Sequence, residues 1–436
     1  MIDRPIKAQF QEFPLTGAVP SETAAVIPTV RAGKWFRGGG HAYYFLNLKT
    51  LKGLCVSFPH WSVILPGLRR FARATSPSSR FPSLLGLLGK KYHYGFNLLE
   101  QIMLMTVPHT VTDIGEERFV ISLWSYCGAV LVDLRNRSVT YKILSPTDDN
   151  SILGARLWYE AHNDSLLYMT YSLNDSLKRA ADPSAAVISR ICEYEIKTGE
   201  RRQIWEGYFA DYMHDILLSD DRQHLVACEM GRFQDRSRNL IPSRVLLLDL
   251  KERHQWIISE VANAAHAQFD PDDPQLLYFS NHNFRFEHTK TLELLRKRTY
   301  SLKFLGNASV HKYRLTEDGA HQVGVFAQPD LFRLTNFHVF YHRRRKILAA
   351  MGAPNFIFIA DAESMKLISK VEVLNPSGTT YVGTFCPSSD GEKLYVQTTR
   401  AFHIVDLASG KSEFVHTFAA EHTCSNHMMI TKSTAW

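Results

Sequence analysis

The sequence predicts an all-β fold, a seven-bladed β-propeller. Short apolar or aromatic segments separated by polar turns dominate the chain beyond about residue 100, and helical periodicity is scarce. A four-strand unit also recurs at intervals of about 45–60 residues. Such a repeat, with enlarged loops in some units, is typical of a propeller, in which each unit forms one blade of a ring.

The outer half of each unit has the pattern of a hairpin with a tight polar turn. In IFIADAESMKLISKVEV and FHIVDLASGKSEFVHTF an apolar strand ends on an aspartate, and a second strand follows within a few residues. The same pattern occurs in LVDLRNRSVTYKIL, CEYEIKTGERRQIW and LLLDLKERHQWIIS. We therefore expect one outer hairpin in each blade.

The inner hairpins align on their own turns and give six complete units. These units begin at His109, Arg156, His214, His266, His338 and Val382. The C-terminal HMMITKSTAW starts like a seventh inner strand, and the N-terminal AYYFLNLKTLKGLCVSF could supply its outer hairpin. We expect the ring to be closed by pairing of the N- and C-terminal strands, which removes its open edge. In this organisation residues 1–30 are an N-terminal extension and residues 31–436 are one propeller domain.

The positive charge is concentrated near the N-terminus. The chain carries a net charge of +7, yet no acidic residue occurs between Glu22 and Glu100, a window with eleven lysines and arginines. Residues 63–95 lie in this window and read as a basic insertion between the first and second blades, partly helical and covering one mouth of the channel. A local cationic region predicts an anionic partner, and its apolar residues would also suit peripheral contact with a membrane surface.

Composition excludes several classes of protein. The chain has 436 residues, of which 45% are hydrophobic and 21% charged, and its mean hydropathy is −0.18. This is a soluble globular composition, without a run of apolar residues long enough for a transmembrane span and without a secretory leader at the N-terminus. The six cysteines are widely spaced and predict reduced thiols in a cytoplasmic protein. The basic run Arg343–Lys346 falls at a predicted hairpin turn and indicates no nucleic-acid partner.

Histidine recurs at one position of the aligned inner strands. The five histidines are His109, His214, His266, His338 and His427. Equivalent positions on the inner strands of a propeller face the same place, the central channel. Several neutral imidazoles that converge there could bind a divalent metal ion such as Mn²⁺ or Fe²⁺. The alternative is a channel lined by water-bound polar side chains without an ion.

One of these strands carries a family resemblance. The segment from His266 to His282, HAQFDPDDPQLLYFSNH, resembles the inner-strand motif of oligogalacturonate lyases. His338, in NFHVF, sits where that family has its next histidine strand, although Val339 follows it and no glutamine stands directly before it. The resemblance covers roughly residues 200–360. It implies a cytoplasmic seven-bladed propeller that binds manganese through channel histidines.

The resemblance also implies a reaction, β-elimination from an acidic sugar of the uronate type. The metal would hold the carboxylate and acidify the neighbouring C–H, and a side chain would remove the proton. Tyr212 and His282 are the candidates for this catalytic role. Arginines near the channel strands could bind further carboxylates of an anionic small molecule. These candidates are Arg156, Arg232, Arg285 and Arg333.

Two other functions remain open from the sequence. Carotenoid-cleaving oxygenases are also seven-bladed propellers, with iron held by four histidines, and they would make iron the metal and an apolar molecule the substrate. The third reading is a non-catalytic propeller that recruits a protein partner and holds no metal. The interpretation that we favour is a metal-dependent lyase with manganese.

Overall fold

The structure is a computed structural model that describes most of the strands and some of the connections between them. The described residues are 3–17, 23–31, 40–63, 108–123, 129–142, 151–153, 158–160, 165–172, 188–195, 198–208, 213–229, 232–234, 239–241, 243–286, 302–331, 334–352, 356–373, 382–398, 400–419, 422–424 and 428–431. Apart from Val63, the predicted basic insertion of residues 63–95 lies outside this set.

In the described part of the chain, seven antiparallel sheets of four to six strands follow one another, which confirms the prediction of a seven-bladed propeller, and two further sheets have two strands each. Blade 6 consists of β27 (Leu334–His342), β28 (Arg345–Gly352), β29 (Phe356–Asp361) and β30 (Leu367–Glu372). Blade 7 consists of β31 (Val382–Pro387), β32 (Lys393–Thr398), β33 (Ala401–Asp406) and β34 (Lys411–Thr417). In both blades the order of the strands in the sheet is their order in the chain.

Blades 4 and 5 have the same four-stranded plan, and each carries an additional short hairpin. Blade 4 consists of β15 (Met213–Leu218), β16 (His224–Glu229), β19 (Ser243–Asp249) and β20 (His254–Val261), and its hairpin of β17 (Arg232–Gln234) and β18 (Asn239–Ile241). Blade 5 consists of β21 (Ala264–Phe269), β22 (Leu276–Asn281), β25 (Ser309–Thr316) and β26 (Gly319–Ala327), and its hairpin of β23 (Phe284–Phe286) and β24 (Leu302–Phe304).

The first three blades contain more than four strands. Blade 3 consists of β10 (Ser151–Leu153), β11 (Trp158–Glu160), β12 (Ser165–Ser172), β13 (Ile188–Glu195) and β14 (Arg201–Tyr208). Blade 2 consists of β6 (Pro108–Asp113), β7 (Arg118–Leu123), β8 (Ala129–Asp133) and β9 (Ser138–Lys142), with β1 (Asp3–Ile6) added outside β9. Blade 1 consists of β2 (Gln9–Pro14), β3 (Ala24–Arg31), β4 (Gly40–Asn47) and β5 (Lys52–Pro59), with β35 (His422–Cys424) and β36 (Met429–Thr431).

The N-terminal residues are part of the sheets. Strand β1 pairs with β9 of blade 2, and β2 pairs with β5 of blade 1, so this segment adds an outer strand to each of two blades. Strand β3 pairs on one side with β4 and on the other with the C-terminal β35 and β36. The residues expected to form an extension ahead of the propeller therefore contribute three strands to blades 1 and 2.

The core lies between adjacent blades. On β29, Ile357 and Ile359 belong to a cluster shared with blade 7, whereas Phe358 and Ala360 belong to a cluster shared with blade 5. Successive side chains of a strand point to opposite faces, so both faces of this sheet are covered by its neighbours. This explains why strands such as FIFIAD are almost continuously apolar.

Local turn chemistry fixes the register of the hairpins. Between β27 and β28, His342 pairs with Arg345, and the two residues of the turn, Arg343 and Arg344, have φ of 46° and 65°. Positive φ at both central residues is the property of the type I′ turn, whose twist matches that of the two strands. The basic run that starts at Arg343 is therefore a hairpin turn in the structure, as predicted.

Buried ion pairs also join the blades. Glu193 of blade 3 is 4% exposed, accepts the Ser165 hydroxyl at 2.6 Å and contacts Arg202 and, across the blade boundary, Arg222 at 3.1 Å. Although burial opposes ionisation, these donors hold the pKa of Glu193 below its usual range. The carboxylate is charged and satisfied, so it acts as a structural link between blades 3 and 4.

Candidate functional site

The candidate site lies at one end of the ring, which we call the start face because the first strands β6, β15, β21, β27 and β31 all begin there. In each of these blades the second strand is antiparallel to the first and therefore ends at the same face. The hairpins β17–β18 and β23–β24 leave the second strands of blades 4 and 5 at this end. His109, His214 and His266 lie within the first three residues of their strands, His338 is the fifth residue of β27, and His427 lies outside the described residues.

His266 has an unusual backbone conformation. Ala265 pairs with Ser280 and Gln268 with Tyr278, so His266 and Ala267 together face a single residue of β22 and form a β-bulge. The φ of His266 is 49°, in the left-handed region that residues with a side chain rarely adopt. Conformations of this kind cost of order 1–3 kcal/mol and cluster at functional sites. The bulge therefore singles out His266 among the residues of β21.

The imidazole of His266 stacks on that of His282. The two ring centroids are 5.0 Å apart with an angle of 26° between the ring planes, and the side chains are buried, with 9% and 7% exposure. His282 follows directly after β22, and its backbone N–H donates to the Asn263 carbonyl at 2.9 Å. The bulge of β21 and the end of β22 thus bring two sequence-predicted residues together.

A buried carboxylate from blade 4 holds the bulge. Asp215 on β15 is fully buried, and its Oδ2 accepts the backbone N–H of Ala267, the second bulged residue, at 2.9 Å. Sequence reasoning missed this residue. The signal that could have found it is an acidic side chain in an otherwise apolar strand, MHDILL.

The next two blade boundaries are bridged in a similar way. The Gln268 side chain donates to the Val339 carbonyl at 2.8 Å and accepts the Val339 N–H at 3.0 Å, which joins blade 5 to blade 6. Asn336 donates to the Thr384 hydroxyl at 3.0 Å, which joins blade 6 to blade 7. Polar side chains of the first strands therefore tie each of these blades to the next one near the channel.

His338 takes part in the bridge from blade 6 to blade 7. Its Nε2 lies 3.0 Å from the Phe385 carbonyl oxygen and 3.1 Å from Asn336 Nδ2. Burial lowers the pKa of His338 from 6.5 to about 4, and the hydrogen bond to the Phe385 carbonyl opposes this only in part. The ring is neutral at pH 7, and the nitrogen bonded to Phe385 is occupied by the protein.

The predicted histidines do not share one register. The inner turn of each blade begins at a residue whose backbone N–H donates across the hairpin, which is Ile114 in blade 2 and Ser219 in blade 4. His109 and His214 each lie five residues before that residue. His266 lies four residues before the equivalent Asp270. The difference arises because each first strand carries a bulge, but not at the same residue.

The remaining predicted residues fall in two groups. His109, His214, Arg232 and Arg285 have described backbones, in β6, β15, β17 and β23, but their side chains lie outside the described part. Tyr212, Arg156, Arg333 and His427 lie entirely outside the described residues. Among the side chains that are described, no group of three or more His, Cys, Asp or Glu residues could hold a metal ion.

The sheets define a seven-bladed β-propeller protein. No protein-family model and no curated protein matches the sequence. Among solved structures, the fold is similar to that of an oligogalacturonate lyase in complex with manganese, with 10% sequence identity, a TM-score of 0.45 and coverage of 97% of this chain and 98% of that chain. A functionally unknown protein from Desulfotomaculum acetoxidans DSM 771 is also similar, with 14% identity, a TM-score of 0.38 and coverage of 71% and 79%. Likeness at this level concerns the fold alone.

The described part of the chain contains no helix long and apolar enough to cross a membrane.

Proposed function

We propose that the protein is a metal-dependent enzyme of the lyase class that binds a divalent cation at the start face and acts on an anionic small molecule. The observation that carries the proposal is the buried pair of His266 and His282, formed by a strained bulge at the mouth of a propeller channel. Manganese is the metal we favour, and iron is the alternative.

The spacing of the two rings suits a shared ion. With a metal–nitrogen bond of about 2.1 Å, the centroid of a bound imidazole lies about 3.2 Å from the metal. Two such imidazoles at a nitrogen–metal–nitrogen angle of about 90–110° have their centroids about 4.5–5.2 Å apart. The 5.0 Å between the His266 and His282 centroids lies in this range, but a metal lies in the plane of each imidazole that it binds, and stacked rings share no such plane. One ring would therefore rotate when an ion is bound, and His282 stays a candidate both for binding the cation and for proton transfer.

Further ligands would come from the neighbouring first strands. His109 and His214 remain candidates by their position at the start face, and His427 remains a candidate from the sequence alone. His338 could contribute only the ring nitrogen that does not contact Phe385. Neutral imidazole ligands leave the full charge of the cation in place, and such a site favours an anionic substrate.

The chemistry would be the removal of a proton next to a carboxylate, followed by loss of a leaving group from the adjacent carbon. When bound, the cation would polarise the carboxylate and acidify that C–H bond. Of this chain's residues, Tyr212 and His282 are our candidates for the base. Arg156, Arg232, Arg285 and Arg333 are candidates for holding carboxylates, and strands β17 and β23, which carry Arg232 and Arg285, belong to hairpins at the start face. The lyase class is proposed because the segment from His266 to His282 resembles the inner-strand motif of oligogalacturonate lyases.

Replacing His266 by asparagine is expected to remove the bound metal. Asparagine tolerates positive φ better than most residues, so His266→Asn retains the bulge and deletes only the imidazole. Elemental analysis of protein purified without added metal should find about one equivalent of Mn or Fe in the native protein, and none in His266→Asn or His282→Ala. The matched control is His321→Ala, an exposed histidine on the outer strand β26, which should keep its metal.

Two results would contradict the proposal. Metal retained in His266→Asn would place the ion elsewhere, and a native protein without metal would favour the non-catalytic scaffold that recruits a protein partner. Iron in place of manganese would favour the oxygenase-like reading over the lyase.

A further inference from the structure

Asp215 is neither one of the candidate metal ligands nor one of the candidate substrate-binding residues. It lies on β15 of blade 4, directly after His214, and its side chain is fully buried. Its contact with Ala267 crosses the boundary between blades 4 and 5 and spans 52 residues of sequence. Burying a carboxylate is costly unless it is well hydrogen-bonded, so the position calls for a reason.

The hydrogen bond between Ala267 and Asp215 lies where the pairing of β21 with β22 is interrupted. In a bulge one residue too many faces the partner strand, and the ladder of hydrogen bonds is locally broken. Here the broken stretch is His266–Ala267, and the Ala267 N–H is directed to Asp215 Oδ2 at 2.9 Å instead of to β22. A buried backbone N–H that leaves the ladder is costly unless another group accepts its hydrogen bond, and Asp215 supplies that acceptor. It can therefore offset the cost of the left-handed conformation at His266.

We infer that Asp215 is a positioning residue of the candidate metal site: by holding Ala267, it fixes the bulge that turns the His266 imidazole onto His282. The role in metal binding rests on the proposed function, whereas the role in orienting the two rings does not. Residues that orient ligands without touching the metal typically change its affinity 10–100-fold when they are replaced.

The test compares two substitutions of Asp215 that differ in hydrogen-bonding capacity. Asp215→Asn keeps an oxygen that can accept the Ala267 N–H, and Asp215→Leu has none. We expect Co²⁺, used as a spectroscopic probe, to bind Asp215→Asn within about threefold of the native affinity and Asp215→Leu at least tenfold more weakly. If Asp215→Leu does not fold, Asp215→Ser, whose hydroxyl is too short to span the boundary, carries the same expectation. The control is Ser165→Ala, which removes a buried hydroxyl that donates to Glu193 in blade 3 and should leave Co²⁺ affinity unchanged.

A second readout needs no metal. In the metal-free protein, the ring protons of His266 and His282 should have NMR shifts displaced by their mutual stacking. These shifts should persist in Asp215→Asn and Ser165→Ala and collapse in Asp215→Leu or Asp215→Ser. Unchanged ring signals in the variants without an acceptor would overturn the inference, whether or not Co²⁺ binds. Ring signals that collapse in a protein that binds no metal at all would support the positioning role and refute the metal site.

Discussion

Acidification from about pH 6.5 to about pH 4 is expected to destabilise the protein steeply, because buried histidines are held neutral in the fold. Burial lowers the pKa of His403 and that of His416 from 6.5 to about 4. Their side chains are 1% and 7% exposed, His416 stacks on Phe13 at 4.8 Å, and His403 lies edge-on to Phe414. Neither aromatic neighbour carries a negative charge that would balance an imidazolium.

The direction of this pH effect depends on which state, the unfolded or the folded chain, binds protons at the higher pH. As the pH falls below 6.5, the unfolded chain protonates these rings while the folded chain does not, so the free energy of unfolding decreases until the pH reaches the folded value near 4. This difference in pKa between the unfolded and the folded state corresponds to about 3 kcal/mol of folding free energy for each histidine. Above pH 6.5 neither ring contributes to the pH dependence.

Urea unfolding at a series of pH values measures this effect. His416→Phe should have nearly native stability at pH 7, since phenylalanine suits the ring environment, and should lose less stability than the native protein at about pH 5. His321→Gln, at an exposed position, serves as the control and should follow the native curve. An identical pH dependence in His416→Phe and the native protein would mean that His416 is accessible to protons in the folded state.

Replacing Gly391 by alanine is expected to cost about 3 kcal/mol or more of folding free energy. Gly391 lies in the turn between β31 and β32, and its φ is 68°. A Cβ atom there would overlap the backbone carbonyl oxygen of Tyr341 in blade 6, and a backbone atom cannot swing away as a side chain can. The substitution must therefore push two blades apart at their inner turns.

Gly115 provides the matched control for this prediction. It lies in the corresponding turn of blade 2, between β6 and β7, and has a φ of 77°, but no atom lies within 4 Å of the position of an added Cβ. Gly115→Ala should cost only the strain of positive φ, about 1 kcal/mol. Urea denaturation of the two variants separates the cost of positive φ from the cost of the overlap with the Tyr341 carbonyl. Equal losses would show that the contact with Tyr341 relaxes without cost.

Strand and turn patterns predicted most of the blade architecture. The inner hairpins aligned from the sequence correspond to first and second strands of blades 2–7, because short apolar segments and short polar turns are local properties. Strand β2, in contrast, was not predicted. Its sequence QFQEFP has no turn linking it to β5, and its pairing joins residues about 40–50 positions apart, from Pro14 with Lys52 to Gln9 with Ser57.

The candidate site was predicted only in part, for a similar reason. His266 and His282 could be found because both are histidines that flank one hairpin. Their stacking could not, since it depends on a bulge, and a strand covered on both faces has no apolar alternation that an extra residue would interrupt. Asp215 was missed because its partner is a backbone N–H in another blade, and a backbone group has no sequence signature.

The side-chain bridges from Asp215, Gln268 and Asn336 have a consequence for how the ring opens. Repeat proteins commonly behave as chains of nearest-neighbour units that can fray one at a time. Here each bridge ties a first strand to the backbone or side chains of the next, across three successive boundaries. A blade in this arc cannot detach without breaking bonds in its neighbours. We therefore expect the amide hydrogens of β15, β21, β27 and β31 to exchange with solvent together, as one cooperative unit, rather than blade by blade.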